Sequence, residues 1–394
     1  MPDKLLECLE KVTEENTDLV SAEPSSSTNC SESNNALSKA VSDEECFRIF
    51  DQKLQYLGKV GSLTDLDKLT DWLVNRALQV GAAQAVEEAR AYSKSSEVNV
   101  YEVLLLAKTY SDVPSFQFSN GVVFAMPNAL PMEDFADGVI GQGFFSPIPW
   151  PSVVGVLFKG FNQAVKHTPS EYDAVEKRDS RPADPIEIPI DDLMDVARCM
   201  ALSRLPRFGI HAIAHGTVAP DTLPFLSKWG SWDLHALRRP AVQPSIRETE
   251  FTAADQILTR YVSLEESWKK KVNISIDHIN KFASSETPVE RAISLRVCLD
   301  SLFGEGVSSE LAFRISLRAA NFLGSSNSEK TEIFRSVRQA YHETSAAVHN
   351  GALNKNFDSN KMIKAASLAR KAILKVIEHG NVIWSDIELG LADK

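Results

Sequence analysis

The 394-residue sequence is poor in cysteine, and none of its thiols is spaced to hold a metal. Cys8, Cys30, Cys46, Cys199 and Cys298 are scattered without a C-x-x-C pair, which argues against a zinc ribbon, and their odd number suits a reducing compartment. No apolar run approaches the length of a membrane span, and the acidic N-terminus is no charged-then-apolar leader. A cytoplasmic protein without membrane contact is therefore expected. A basic excess is missing too. The net charge is −11, but residues 1–45 hold 11 acidic against 3 basic side chains, which leaves the rest close to neutral. No broad cationic face for nucleic acid is announced. A Walker A loop and a G-x-S-x-G elbow are absent, and Gly138, Gly141 and Gly143 in "GVIGQGFF" lack dinucleotide-binding spacing. No cofactor is expected.

What is present divides the chain into four parts. Residues 1–45 include "SAEPSSSTNCSESNNALS", whose polarity predicts a disordered acidic tail, with "LLECLEKVTEE" able to form a short helix. Residues 46–250 read as a helical region followed by a mixed α+β region. Within 46–110, Leu66, Leu69, Trp72, Leu73 and Ala77 have helical spacing behind Ser62 or Thr64 as N-cap, and "VYEVLLLAKTY" is a second apolar run. "PSFQFSNGVVFAM" alternates around Asn-Gly and predicts a hairpin. "RPADPIEIPIDDLMDVARCMAL" reads as an extended segment entering a helix with Asp191 or Asp192 near its start, and "KWGSWDLHALRRPAVQPS" as loop and short helix. Residues 251–287 predict one long linking helix, and 288–394 a bundle of at least four helices. No internal repeat is visible. The fold class expected is mainly α.

In the bundle, "PVERAISLRVCLDSLFGEG" has Pro288 at its start, Gly304 and Gly306 at its end, and Leu295, Leu299, Leu302 and Phe303 on one stripe. "SSELAFRISLRAANFLG" opens at Ser308 or Ser309 and places Leu311, Ile315, Ala319 and Phe322 on one side, with the charge of Arg318 on or beside them. The third helix spans about 329–350, with Gly351 placed to end it. The fourth, about 359–379, turns Ile363, Ala366, Leu374 and Ile377 inward and carries Lys361, Lys364, Lys371 and Lys375 as a basic stripe.

"RVCLDSLFGEG", "ELAFRISLRAANFLG" and "VRQAYHETSAAVHNG", in this order and spacing, resemble the Apea-like HEPN domains, helical bundles common in prokaryotic conflict systems. The resemblance runs from about residue 290 to 377. It implies a metal-independent ribonuclease ancestry: a histidine and an arginine four to six residues apart on one helix, the first moving protons and the second stabilising charge on the phosphate, with two helices meeting across a dimer. It also implies RNA as a partner, a homodimer formed through the bundle, and a setting in antiviral defence or a toxin–antitoxin pair. Carried onto this chain, Tyr341, Ser345, Val348, His349 and Gly351 match, while Thr344 stands at the arginine position and Asn350 separates the histidine from the glycine. Threonine offers no guanidinium fork. Arg338 lies eleven residues before His349, about 16 Å along a helix axis, too far to replace it within that helix.

The candidate catalytic set is therefore His349, Arg318 from the neighbouring helix, Ser345 and His342. Lys361, Lys364 and Lys371 are candidate RNA contacts. Each has a structural alternative: a helix-end histidine interacting with the dipole, a polar helix flank, an arginine held by a salt bridge or cap with Glu310 or Glu343, and a solvated lysine face. Three functions are expected in turn: a degenerate HEPN protein that binds RNA or protein without cutting, an active ribonuclease with a rearranged site, or a ligand sensor whose bundle dimerises. Elsewhere, His211 and His215 in "HAIAH" have the spacing of a metal-binding helix without the zincin glutamate or a third ligand, and no metal is expected. Trp229, Trp232 and His235 either line a pocket or close a small core.

Overall fold

The computed structural model describes residues 3–21, 29–51, 53–57, 60–131, 153–169, 190–206, 208–218, 223–224, 232–234, 245–307, 309–353 and 358–390. The chain is mostly helical with a small antiparallel sheet. The stretches around Gly138 to Gly143, and Trp229 and His235, lie outside these residues.

Four helices form the N-terminal part: α1 (Lys4–Ser21), α2 (Asn29–Asp43), α3 (Leu66–Val80) and α4 (Ala82–Lys94). The expected disordered tail is thus not met over 4–21 and 29–43. Polar composition hides two apolar stripes, Leu5, Leu9 and Val12 on α1 and Leu37, Ala40 and Val41 on α2, and all six side chains are buried. They share a core with Phe47, Phe50, Leu69, Leu73 and Tyr92. Each large aliphatic side chain buried there contributes about 1.5–3 kcal/mol. The α3 cap is Asp65, which accepts from the Lys68 amide (2.6 Å), in place of the expected Ser62 or Thr64.

The region from 46 to 110 is not helical throughout. Strands β1 (Lys53–Leu57) and β2 (Val60–Thr64) precede α3, and the apolar run after α4 is strand β3 (Glu97–Ala107). A short apolar run buried on both faces has no alternation to separate it from a buried helix. The remaining strands are β4 (Ser115–Gln117), β5 (Val123–Ala125), β6 (Val153–Pro169), β7 (Ala212–Val218) and β8 (Trp232–Leu234), and the sheet runs β2-β1-β6-β3-β7-β8 with β5 also on β6. The 17-residue β6 pairs with β3 and then continues to β1. The hairpin expected around Asn120-Gly121 is β4–β5, with Gly121 at φ 82°. Its Phe116 stacks on Phe251 at 5.2 Å between ring centroids.

Helix α5 (Ile190–Arg204) covers the sheet, with Asp191 and Asp192 in its first turn as expected. The linking stretch is two helices, α6 (Glu248–Tyr261) and α7 (Glu266–Ser284). The break falls at Val262–Glu265, where the Ser263 hydroxyl donates to the Arg260 carbonyl (2.7 Å). The bundle follows as α8 (Pro288–Phe303), α9 (Leu311–Leu323), α10 (Asn327–Asn350) and α11 (Ser359–His379), closed by the short α12 (Trp384–Leu389). Pro288 and Gly304 bound α8 as expected. Helix α9 begins after Glu310, whose backbone is left-handed at φ 53°, rather than at a serine cap. Gly351 ends α10 in the left-handed conformation at φ 64°. No described helix is long and apolar enough to cross a membrane.

Candidate functional site

Helix α10 presents two different faces at its C-terminal half. Val337, Ala340, Tyr341, Thr344 and Ala347 are buried, at spacings of three and four that follow the bundle core. His342 and His349 are exposed, Ser345 is half-buried, and Val348 is 45% exposed. Thr344 has no exposed surface, and its hydroxyl donates to the Tyr341 carbonyl (2.9 Å). Five residues of helix rotate by about 500°, so Thr344 and His349 point about 140° apart. The position of the expected arginine therefore faces the core while His349 faces solvent.

Arg318 does not supply the missing charge. It is 3% exposed, its Nε donates to Glu388 Oε1 (2.6 Å), and its Nη1 donates to the carbonyls of Phe303 (2.5 Å) and Glu305 (2.7 Å). It caps the end of α8 and holds α12 against the bundle. The structural alternative thus describes it, with Glu388 as partner in place of Glu310 or Glu343. Hydrogen bonds from Arg314, then from Arg318, hold the Glu388 carboxyl below its ordinary range against the opposing effect of burial.

A different arginine meets α10. Arg296 of α8 lies over the Tyr341 ring, 3.5 Å from its centroid, and donates to Asp300 Oδ2 (2.8 Å), while the Tyr341 hydroxyl donates to Asp300 Oδ1 (2.8 Å). Burial, then the hydrogen bond and charge of Asp300, push the Tyr341 phenol upward. The only trace of this trio in the sequence is Arg296 and Asp300, four apart on a helix. Tyr341 precedes His349 by eight residues, about 12 Å of helical rise, so Arg296 is committed well away from that imidazole.

The lysine stripe of α11 is mostly engaged within the chain. Lys361 pairs with Glu343 (3.5 Å), Lys364 with Glu332 (2.7 Å), and Lys375 donates to the Phe322 carbonyl (2.5 Å). Lys371 is exposed, and its charge adds to the Ser325 hydrogen bonds that hold the Glu329 carboxyl low. The stripe ties α11 to α9 and α10. Ile363, expected inward, is 44% exposed, whereas Ala366 and Ile377 are buried.

His211 and His215 do not share a helix. His215 lies in β7 and His211 just before it, so four residues of extended chain put them about 13 Å apart, and among the described residues no group of His, Cys, Asp or Glu could hold a metal. The strand β8 replaces the loop and short helix expected around Trp232. Burial pushes the Cys298 thiol up to about 12, which leaves it a packing group.

Compared with models of protein families, with curated proteins and with solved structures, the chain matches none.

Proposed function

We propose that the chain is a HEPN-like bundle protein that binds a macromolecular partner and does not cut RNA, in the defence or toxin–antitoxin setting that the resemblance implies. One observation carries this reading: the residue at the arginine position, Thr344, is wholly buried and hydrogen-bonded to its own helix. A histidine without a guanidinium beside it lacks the charge that stabilises a phosphorane-like transition state. The same geometry argues against a rearranged nuclease, because Arg318 and Arg296 are both engaged elsewhere. Protein is the better-supported partner class, since Lys361 and Lys364, which would track a phosphate backbone, are paired to glutamates. Pairing of two copies through the bundle belongs to the same proposal; Phe313, Val348 and Ile363 are exposed on it.

Purified full-length protein and His349→Ala are incubated with a mixed single-stranded RNA pool in the presence of chelator. The expected outcome is no cleavage by either. Cleavage by the wild type that disappears in His349→Ala overturns the proposal.

A further inference from the structure

A cavity of about 340 Å³ lies where the sheet and α5 meet the linking helix α7, lined by α5, by the end of β3, by residues 210–213 and by α7. This is the small end of the range that holds organic ligands. Ala107, Met194, Ala197, Ala201, Ile210 and Ile276 supply an apolar wall, and the three alanines leave the space that larger side chains would fill. The open side lies beside Asp277 and Lys281, which are both exposed.

The walls are held in place before any ligand arrives. The Asn280 side chain accepts from the Ile210 amide (2.9 Å) and donates to the Ile210 carbonyl (2.6 Å). Gly209 lets the chain approach this closely: a Cβ there would fall 2.4 Å from Asn280 Oδ1 and 2.9 Å from His211 Nε2. Arg198 donates to both carboxylate oxygens of Asp277 (3.0 and 3.1 Å) and is backed by Asp195 (3.4 Å). Such fixed walls reduce the ordering cost of binding.

The charges at the mouth do not cancel. Asp277 is answered by Arg198, whereas among the described residues the Lys281 ammonium has no hydrogen-bond or ion-pair partner. The Ser284 hydroxyl is spent on helix carbonyls, and both halves of the Asn280 amide are spent on Ile210. One ammonium is therefore left over beside an apolar recess. A cation would be repelled there, a neutral molecule would gain the wall alone, and an anion with an apolar body would gain both.

We propose that this cavity binds a small amphiphilic anion, with its apolar body against the alanine, isoleucine and methionine wall and its carboxylate or phosphate at Lys281. This goes beyond the proposed partner-binding role and does not depend on it. The sheet side contributes α5 and residues 210–213 and the linking helix α7 contributes the facing wall, so an occupant joins the two.

The test uses the full-length chain in calorimetric titration and thermal unfolding at matched ionic strength. The probes are benzoate, hexanoate and phenyl phosphate, with benzamide and benzylamine as neutral and cationic controls. At least one anion is expected to bind and to raise the unfolding temperature, with both controls weaker by about tenfold or more, the size of a lost charge-assisted hydrogen bond. A response to benzoate and hexanoate alone assigns a carboxylate head; a response to phenyl phosphate alone assigns a phosphate head. Lys281→Met, an exposed position that tolerates change, should weaken binding about tenfold, and Ser284→Trp, which plugs the rim, should abolish it. The proposal fails if no anion binds the wild type, if a control binds as tightly as its anion, or if either variant binds unchanged.

Discussion

Val98 and Val100 of β3 pack into the N-terminal helical core, while Leu104 and Leu106, on the same face of that strand, pack into the core of the bundle. Glu102 stands between them, 2% exposed, accepting a hydrogen bond from Thr217 (2.8 Å). One ionic cluster beside each core differs in its exposure to solvent. On the N-terminal side Arg90 joins Asp3 (2.6 Å) and Glu44 (2.5 Å), with side chains between 26% and 34% exposed. On the bundle side Asp195, 3% exposed, takes Lys269 (2.6 Å), Arg198 (3.4 Å) and the Tyr261 hydroxyl (3.1 Å). Ion pairs wetted by solvent are screened and contribute little, whereas a buried carboxylate with three partners cannot lose them cheaply. The second cluster joins α5, α6 and α7 through one carboxylate.

Breaking the buried network should have the largest effect. Asp195→Ala leaves Lys269 and Arg198 uncompensated and is expected to cost about 3–5 kcal/mol in urea unfolding. A loss below about 1 kcal/mol would remove the distinction between the two cores. Next comes Thr344→Arg, which forces a guanidinium into the core of the bundle. It should destabilise by at least about 3 kcal/mol and create no ribonuclease activity. A stable, RNA-cutting Thr344→Arg protein would contradict the placement of that side chain.

Arg90→Ala tests the wetted side and should cost about 1 kcal/mol or less, shrinking further in high salt. Hydrogen exchange should quicken in α1 and α2 while α5–α7 keep their protection. The smallest effect concerns pH. Burial, then the charge of Lys281, lowers the His278 pKa below its ordinary value, with Asp277 opposing. The unfolded chain then binds the extra proton more readily, so stability is full above the unfolded pKa of about 6.5 and falls as pH drops through the folded value. His278→Gln should flatten that part of the stability–pH curve; an unchanged curve would assign the dependence to another group.

The bundle was readable because its helices carry their own punctuation. Pro288, Gly304 and Gly351 mark ends, and Leu295, Leu299 and Leu302 mark a face, all within one helix each. The sheet was less readable. β3 is buried on both faces and so loses the alternation that marks a strand, and its partners β6 and β7 lie far along the chain. The same divide runs through the candidate site. That Arg318 sits on an apolar stripe could be counted from the sequence, but its partner Glu388 arrives from 70 residues away. Thr344 falls seven residues after Val337, on the core stripe, so its burial is legible in helical spacing although its residue type does not show it.

Asn280 reaches from helix α7 to both backbone groups of Ile210. A carboxamide places a donor and an acceptor side by side, much as a backbone peptide group does. To Ile210, helix α7 therefore passes for the edge of a neighbouring strand, receiving its N–H and serving its carbonyl. The strand character of β7 is carried past its own start by a single side chain, and the backbone N–H and carbonyl of the buried Ile210 are both satisfied. Neither leucine, which has no polar group, nor an ionised aspartate, which only accepts, can perform this mimicry.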